Sequence, residues 1–556
     1  MQILIAVGIL ILVYVIIILE KKISSKRIRI KIKEEFGKKP ETRKCSFEKI
    51  EYHWKEYTKT IPDDEKIDDI TWNDLDMNNV YCRINNCSSF VGEQILYSKL
   101  HCLPKNDLYR ELLEKKISFF AFNDREREQT QFLLSSLGKD DRDFYLPRFI
   151  ANLDTYRISG IWRYQTMRLL QILLGLSLLL AVISQELIFL FLLGGIFLNN
   201  LVIYAIGKNK FEVNLDMVDS IIGVIGVGNT IANTKKLSYE NRFSDLMKVV
   251  IPFKSLWNSM SIVQIRKNAV YSGDIVAIIY DYIIGATLWD FVKYDQMISK
   301  LMSNQNEFME LYQVIGEIDT AISIASFRES LPLFCRPSFS KENVLKMKQI
   351  FHPLIDEPVC NTIELDNSCI ITGSNASGKS TYIKAVAINV ILGQNIHTCM
   401  ADEITLPYAK VITSMAVRDD LMAKESYYIK EIKYLKRIVE NLSEERLVIC
   451  IIDEILRGTN TEERIAASAS ILKYLHNKNC ISIVASHDIE LTEVLDDLYD
   501  NYYFTEQMED KDIIFDYKIY RGVSNSKNAI KLLHHERFPY EIIEEAQKNV
   551  HMRSIK

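Results

Sequence analysis

Three signatures of common protein classes are missing from this sequence of 556 residues: a cationic excess, a Cys-x-x-Cys pair and a His/Cys cluster. Lys and Arg number 68 against 73 Asp and Glu, for a formal net charge of −5. A dedicated nucleic-acid-binding protein is usually basic, so any DNA contact must come from a local patch. The 10 scattered cysteines and 9 histidines lack ligand spacing, which predicts no structural zinc. Thiols inside apolar stretches favour reduced cysteines and a cytosolic body over disulfides.

Charge is also absent from the first part of the chain, Met1–Leu19, which is apolar apart from Gln2 and is followed by EKKISSKRIRIKIK. A cleaved signal peptide would carry positive charge before the apolar run and small residues at its end, and neither is present. The run reaches the roughly 17–25 residues that a spanning helix needs. Because Lys and Arg stay on the cytoplasmic side, the sequence predicts an anchor over 1–20 with its N-terminus outside.

A second charge-poor stretch, Leu169–Lys208, contains one charged residue, Glu186, before its closing lysine. It predicts a transmembrane helical hairpin over 167–207, joined by a short external turn at Ser184–Glu186. Cations flank the hairpin and place both of its ends in the cytoplasm, namely Arg157, Arg163, Arg168, Lys208 and Lys210. The prediction is therefore a multi-pass protein of the cell membrane with three transmembrane helices and a cytoplasmic C-terminal region. The alternative is a buried helical hairpin in a large soluble core.

A phosphate-loop pattern, Gly-x-x-x-x-Gly-Lys-Ser, lies near the C-terminus at Gly373–Ser380. It follows a predicted apolar strand, Ser368–Thr372, and precedes a helix that could end near Gly393. Such glycines let backbone N–H groups approach phosphates at the positive end of a helix. Lys379 would bridge the β- and γ-phosphates of ATP, and Ser380 would hold Mg²⁺. The predicted nucleotide-binding residues are Gly373, Ser374, Asn375, Ala376, Ser377, Gly378, Lys379, Ser380 and Thr381.

Two further apolar runs end in groups suited to hydrolysis. Leu447–Ile452 delivers Asp453 and Glu454 to the carboxyl end of a strand, where ligands bind in open α/β sheets. Asp453 would coordinate Mg²⁺, and Glu454 would orient or deprotonate the attacking water. Ile481–Ser486 ends in His487, which either senses the γ-phosphate or is structural. The pattern predicts an ATPase that uses ATP and Mg²⁺.

These motifs together resemble the MutS family of mismatch-repair ATPases. Thr372–Thr381 matches the family's T-G-x-N-x-x-G-K-S-T, Asp453–Thr461 matches D-E-I-x-R-G-T-x-T, and Ala485–His487 resembles its histidine loop. The resemblance implies an α/β fold with an ABC-like P-loop ATPase domain over 341–556. It also implies a homodimer in which Ser426, at the end of AVRDDLMAKES, reaches the ATP bound by the other subunit.

Weaker resemblance extends upstream. The stretches Thr71–Lys139 and Asp319–Phe339 look like two parts of the family's helical core. The expected plan is therefore a mainly α-helical region over 21–166, the hairpin, and a helical lever and core over 208–340. The hairpin would then be an insertion within one core, where soluble relatives carry their DNA-embracing levers.

The sequence departs from the family in ways that leave the ligand open. The mismatch-reading domain has no counterpart, and Val359 stands where an aromatic residue usually stacks on adenine. A local basic patch lies between Ile231 and Gly273, with Lys235, Lys236, Arg242, Lys248, Lys254, Arg266 and Lys267. One hypothesis is a membrane-tethered dimer that closes around double-stranded DNA. The other is an ABC-like membrane switch, or a scaffold, with no DNA ligand.

Overall fold

The computed structural model describes residues 22–40, 46–104, 107–157, 164–210, 212–233, 244–257, 285–374, 377–415, 427–509, 512–523 and 538–553. The chain divides into two compact units. The helical unit comprises Met1–Ile61, Ile84–Ser98 and Leu112–Ser330. The sheet unit comprises Pro62–Arg83, Lys99–Glu111 and Leu331–Lys556. The expected combination of a helical N-terminal region with a sheet-rich C-terminal region is confirmed.

The described residues form twenty α-helices and ten strands, numbered here in chain order. The helices are α1 (22–35), α2 (Phe47–Ile50), α3 (Tyr52–Tyr57), α4 (Asp69–Asp74), α5 (Met77–Ile84), α6 (Phe90–Leu100), α7 (Asp107–Phe122), α8 (Asp124–Ser135), α9 (Leu146–Ala151), α10 (Tyr164–Ser184), α11 (Leu187–Lys210), α12 (Glu212–Ala232), α13 (Ser244–Val250), α14 (Trp289–Met302), α15 (Gln305–Glu329), α16 (Lys379–Ile396), α17 (Tyr427–Glu440), α18 (Thr461–His476), α19 (Glu490–Val494) and α20 (Tyr540–Arg553). The strands are β1 (Ser338–Ser340), β2 (Leu345–Ile350), β3 (Asn361–Leu365), β4 (Cys369–Thr372), β5 (Glu403–Pro407), β6 (Ala409–Ser414), β7 (Leu447–Asp453), β8 (Cys480–Ala485), β9 (Asp500–Glu509) and β10 (Asp512–Arg521).

The core of the helical unit joins chain segments from both sides of the hairpin. The buried Asp319 carboxylate of α15 accepts hydrogen bonds from the backbone N–H groups of Ser88 and Ser89 and, at 2.6 Å, from the Ser89 hydroxyl. Arg328 of the same helix forms a two-bond ion pair with Glu114, at 2.7 and 2.9 Å. Because buried charges and polar groups need such partners, these contacts pin the two segments together. The hairpin therefore lies between two parts of one packed unit.

The hairpin itself consists of α10 and α11, which pack against each other. Gln185 and Glu186 join them, with Gln185 in the left-handed region at φ 53°. Both helices are long and apolar enough to cross a membrane, and only 11% of an 18-residue apolar stretch in each helix is buried. The third predicted span, Met1–Leu19, lies outside the described residues, as do the members of the basic patch other than Lys248 and Lys254.

The sheet unit is built on a six-stranded sheet with the order β10-β9-β4-β8-β7-β6, in which only β10 runs antiparallel to its neighbour. Strands β4 and β7 are buried along their whole length, which is why they are continuous apolar runs in the sequence. The smaller sheet has the order β1-β5-β2-β3.

Helix α16 runs three residues beyond the glycine that was expected to end it. A Cβ at Gly393 would lie 2.6 Å from a methyl of Leu406 and 2.8 Å from the Cys399 sulfur, so this glycine permits close packing. The helix ends at Ile396 instead, and His397 follows in the left-handed conformation. The glycine therefore serves tertiary packing and is not a helix cap.

The sheet unit also includes two segments, Pro62–Arg83 and Lys99–Glu111, that the sequence analysis assigned to the helical region over 21–166. The edge strand β6 holds the first of them. Thr413 donates to Asp74 at 2.6 Å, and its backbone N–H donates to the Thr71 hydroxyl at 3.2 Å. Arg446 donates to the carbonyl of Leu103 at 3.1 Å and so holds the second. Because an exposed strand edge is costly, α4 covers that of β6.

A candidate nucleotide site at the ends of parallel strands

Strands β4, β8 and β7 are parallel neighbours, so their carboxyl ends meet at one edge of the sheet. A cavity of about 400 Å³ opens there. Its lining includes, of the residues predicted to act, Ser374, Ser377, Gly378, Lys379, Ser380, Thr381, Glu454 and His487. Gly373 and Asp453 adjoin these residues in the chain without lining the cavity, and Asn375, Ala376 and Ser426 lie outside the described residues.

The loop between β4 and α16 depends on its two glycines. Gly373 and Gly378 have φ angles of 146° and 103°, which side-chain-bearing residues rarely adopt. A Cβ at Gly373 would also lie 2.8 Å from the carbonyl oxygen of Phe504. The spacing of glycines in the sequence thus corresponds to a backbone that only glycine permits at these two points.

Lys379 lies in the first turn of α16 and is 4% exposed. Its Nζ donates to the carbonyl oxygens of Gly373 and Ser374 at 2.6 and 2.8 Å. Burial lowers the pKa of Lys379 from its usual 10.5 to about 8, against the opposing charges of Glu454 and Asp453. The ammonium group is therefore desolvated, and its hydrogen-bond partners among the described residues are these two neutral oxygens, a state in which an anionic ligand would be favoured.

Glu454 and His487 face each other across the cavity lining. His487 Nε2 lies 2.9 Å from Glu454 Oε1, and Arg457 Nε pairs with the other carboxylate oxygen. Burial works to raise the pKa of Glu454, but the hydrogen bond with His487 and the charge of Arg457 outweigh it and hold the pKa below its usual value. Glu454 is consequently an ionised, oriented carboxylate at neutral pH.

The backbone at this carboxylate is strained. Glu454 and Leu456 have φ angles of 60° and 57°, in the left-handed region that disfavours residues with a side chain. Two residues of α17 brace the strained loop: Glu431 accepts a hydrogen bond from the backbone N–H of Arg457 at 3.0 Å, and a Cβ at Gly458 would lie 2.9 Å from Cβ of Tyr428. Strain of this kind persists where the surroundings enforce it, and it is concentrated at functional sites.

The oxygen groups near the loop suit a small divalent cation. Asp453 is 7% exposed, and its Oδ1 has no hydrogen-bond partner within the part of the chain that the structure describes. Ser380 and Thr381 are exposed to the cavity. Within the described part of the chain, no group of three or more His, Cys, Asp or Glu residues could hold a metal. Mg²⁺ commonly takes only one or two protein oxygens beside waters and phosphates, so an orphaned carboxylate oxygen and a serine hydroxyl fit it.

Sequence reasoning missed the side of the cavity formed by β9 and β10. Tyr517 lines the cavity from a bulge in β10, at φ 55°. The bulge is fixed by Asn361, which donates to the Tyr517 carbonyl and accepts from the Ile519 N–H, both at 2.9 Å. Glu506 of β9 accepts from the Ser374 hydroxyl at 2.7 Å. A bulge that pairs with a residue over 150 positions away leaves no local sequence signal.

Comparison with known proteins supports the family resemblance of the motifs. Residues 369–553 match the family model MutS domain V. The chain is 32% identical over 267 residues to the DNA mismatch repair protein MutS of Pseudothermotoga lettingae, covering 46% of this chain and 32% of that protein. It is 31% identical to MutS protein homolog 4 of Mus musculus and 30% identical to that of Homo sapiens, covering 45% of this chain and 28% and 29% of those proteins.

The chain thus spans about a third of the length of the curated relatives that it matches. The matched region contains the glycine loop, the Asp453–Glu454 pair and His487, which are the residues that carried the resemblance in the sequence. The resemblance predicted from the motifs is confirmed: residues 369–553 match MutS domain V, and the relatives that the chain matches are MutS proteins.

Proposed function

We propose that this protein is a membrane-anchored MutS-type ATPase that binds and hydrolyses ATP in the cavity of the sheet unit. The observation that carries the proposal is the convergence of Lys379, Glu454 and His487 on one cavity at the carboxyl ends of parallel strands. In open α/β sheets this edge is where ligands bind. A buried cation beside an ionised, oriented carboxylate is the pairing that phosphate binding followed by hydrolysis requires.

Binding would begin at the glycine loop. In this proposal its N–H groups and the start of α16 cradle the phosphates, and Lys379 exchanges the carbonyls of Gly373 and Ser374 for the β- and γ-phosphate oxygens. Ser380 and Asp453 would hold Mg²⁺, which supplies charge neutralisation at the phosphates when bound. Tyr517 would pack against the adenine base, in place of the aromatic residue that the family usually has at the position of Val359.

Hydrolysis would depend on Glu454. Its carboxylate orients the attacking water and takes the proton that the water loses as its oxygen bonds to the γ-phosphorus. The bond from that phosphorus to the oxygen shared with the β-phosphate breaks in the same step, and ADP leaves. His487 holds this carboxylate at 2.9 Å and faces the cavity, where it can sense the γ-phosphate. The braced left-handed backbone at Glu454 keeps the carboxylate in place before the substrate arrives.

The site would be completed by a second copy of the chain in a homodimer. Ser426, immediately before α17, would reach the ATP of the other subunit. Glu431 of α17 would transmit a shift of this helix to the loop that carries Glu454, because it accepts a hydrogen bond from that loop. Mixing Ser426→Ala subunits with Lys379→Ala subunits tests this arrangement. One working composite site should survive in the mixed dimer, whereas a site confined to one subunit predicts only the residual activity of Ser426→Ala.

The anchor would be the α10–α11 hairpin, joined by the segment Met1–Leu19, in a multi-pass protein of the cell membrane with a cytoplasmic ATPase region. Exposed leucines cover α10 and α11, and an apolar surface of that extent is unfavourable in water. Only residue 211 separates α11 from α12, so a movement in the core would be transmitted directly to the hairpin.

The ATP cycle could be coupled either to double-stranded DNA or to the membrane. The relatives named for DNA mismatch repair favour closure around double-stranded DNA, with the basic patch on the phosphate backbone. The separation of α11 from α12 by a single residue favours an ABC-like switch, or a scaffold, that works on the membrane without DNA.

The deciding experiment is ATP hydrolysis by the full chain in lipid nanodiscs, with and without a DNA duplex, at low and high salt. Stimulation that falls with salt supports DNA coupling. An unchanged rate together with no salt-dependent DNA binding excludes it and leaves the membrane switch. If the unaltered protein hydrolyses ATP no faster than the Glu454→Gln variant, the ATPase proposal itself is contradicted.

A further inference from the structure

The first described helix, α1, presents an unusual outward face. All fourteen of its residues except Ser25 and Ile32 are exposed, including Ile23 at 52% and Ile30 at 47%. Between residues 22 and 33 it carries six cations and no acidic residue, namely Lys22, Lys26, Arg27, Arg29, Lys31 and Lys33. Isolated exposed isoleucines are ordinary, but isoleucines interleaved with this much charge of one sign form a pattern.

Helical spacing arranges these residues into stripes. At about 100° per residue, Ile23 and Ile30 lie one above the other, two turns apart. Lys22, Lys26 and Lys33 fall on one side of this pair, and Arg27 and Lys31 on the other. Exposed Glu34 lies on this face at the C-terminal end of the helix, so the apolar stripe is bordered by cations on both sides over residues 22–33. This is the arrangement of helices that lie in a membrane interface.

The opposite face of α1 is already used for packing within the helical unit. The guanidinium of Arg29 lies 4.1 Å from the ring centroid of Phe132 in α8, and that of Arg127 lies 3.5 Å from the ring of Phe36. Just beyond the helix, the Gly37 N–H donates to the Ser326 hydroxyl at 3.0 Å. These contacts fix the rotation of α1, so its isoleucine stripe points away from the core.

The cations of the outward face are largely available. Among the described residues, Lys31 has a carboxylate partner, Glu35 at 3.5 Å, and the pair is solvent-exposed. An exposed ion pair of this kind is worth little and exchanges readily for another anion. The face can therefore offer its charge to an external anionic surface.

We propose that this face of α1 lies on an anionic lipid surface, with Ile23 and Ile30 at the boundary of headgroups and acyl chains and the flanking cations on lipid phosphates. The inference rests on the membrane anchoring proposed above, because α1 carries most of the basic flank that follows the apolar segment Met1–Leu19. A DNA backbone would attract the same cations but would leave both isoleucines without an apolar partner. The bilayer interface accommodates both.

Hydrogen exchange of the full chain in nanodiscs tests the proposal. The discs contain phosphatidylcholine alone or with added phosphatidylglycerol. We expect the amides of 22–35 to exchange about tenfold more slowly with the anionic lipid, because each cation near an anionic leaflet adds binding free energy. High salt, the double substitution K26Q/R27Q and the double substitution I23S/I30S should each remove this protection.

The matched control is K115Q/R125Q, which also removes one exposed lysine and one exposed arginine from the helical unit and should leave the protection unchanged. Equal exchange in both lipids, or protection by duplex DNA and not by anionic lipid, would overturn the proposal. A chain that fails to enter nanodiscs refutes the anchoring separately. In that case exchange measured with phosphatidylglycerol vesicles decides: protection of 22–35 supports the surface, and its absence overturns it.

Discussion

Helices α16 and α10 are both rich in apolar residues, and their surroundings are opposite. Fifteen residues of α16 are buried, in a helix of 18, because strands of the six-stranded sheet and its loops enclose it. In α10, of 21 residues, only Met167 and Ser177 are buried. Composition marks α10 as long and apolar enough to cross a membrane, and the packing around each helix shows independently which of the two is enclosed by protein.

The difference extends to how each region acquires its function. In the proposed function the sheet unit would hold its chemistry in a few residues at fixed spacing, such as Lys379 and Glu454, where a single atom matters. The hairpin would work through an extended apolar surface in which no single leucine is decisive. Substitutions should therefore have sharp effects in the first region and graded effects in the second.

The largest effect is expected for Glu454→Gln. Removing the carboxylate that activates water should lower the turnover of ATP by about 10² to 10⁴-fold while ATP still binds, because general-base catalysis contributes this much. Steady-state phosphate release and nucleotide binding measure the two quantities. Glu493→Gln, an exposed glutamate of α19, is the matched control and should keep its turnover. A normal rate in Glu454→Gln would assign the base elsewhere.

Lys379→Ala should weaken ATP binding by at least about a hundredfold, since two charge-assisted hydrogen bonds to phosphate are lost. Binding of a fluorescent nucleotide to the full chain in nanodiscs reports it. The variant should still enter the nanodiscs, because the hairpin is independent of the loop. Lys473→Ala serves as control, and an unchanged affinity in Lys379→Ala would contradict the proposed role.

A matched pair of truncations addresses the two helices directly. Ile388→Ala in α16 opens a cavity in a close-packed core and should cost about 2–5 kcal/mol of unfolding free energy. Leu178→Ala in α10, whose side chain is 52% exposed, should change stability by less than about 0.5 kcal/mol. Denaturant titration of both variants in nanodiscs gives the comparison. Equal costs would mean that α10 is a core helix of a soluble fold.

The pH dependence of binding should reflect Lys379. In the free protein its pKa is lowered to about 8, and a bound phosphate would favour the charged form and raise it. Below pH 8 the group already carries its proton and affinity is flat. Above pH 8 binding must take up a proton, so affinity should fall by up to about tenfold for each pH unit. Titration calorimetry between pH 7 and 9.5 checks the slope, and a flat profile would contradict the lowered pKa.

The smallest effect is expected at the contact with the adenine base of ATP. Tyr517→Ala should weaken ATP binding about fivefold, near 1 kcal/mol, because an aromatic contact is lost. Val359→Ala should leave the affinity close to normal. If Val359→Ala has the larger effect, the base lies on the other wall of the cavity.

The positions of the candidate site residues were predictable from sequence because these residues stand at fixed local spacing after apolar strands. The strands that carry Asp453 and His487 begin and end within one residue of their predicted limits. The placement of Pro62–Arg83, the bulge at Tyr517 and the brace by Glu431 were not predictable, since each depends on a partner far away in the chain or on backbone strain. The hairpin was visible as composition, and its exposure required the fold.

The central claim is that one chain joins a nucleotide-hydrolysing site to a membrane hairpin. The most direct measurement is ATP hydrolysis across a size-exclusion profile of the full chain reconstituted in nanodiscs, for the unaltered protein and Glu454→Gln in parallel. The account predicts hydrolysis that elutes with lipid in the unaltered protein and is lost in Glu454→Gln, with both proteins in the same fraction. Hydrolysis that elutes free of lipid without detergent, or that survives in Glu454→Gln, would contradict it.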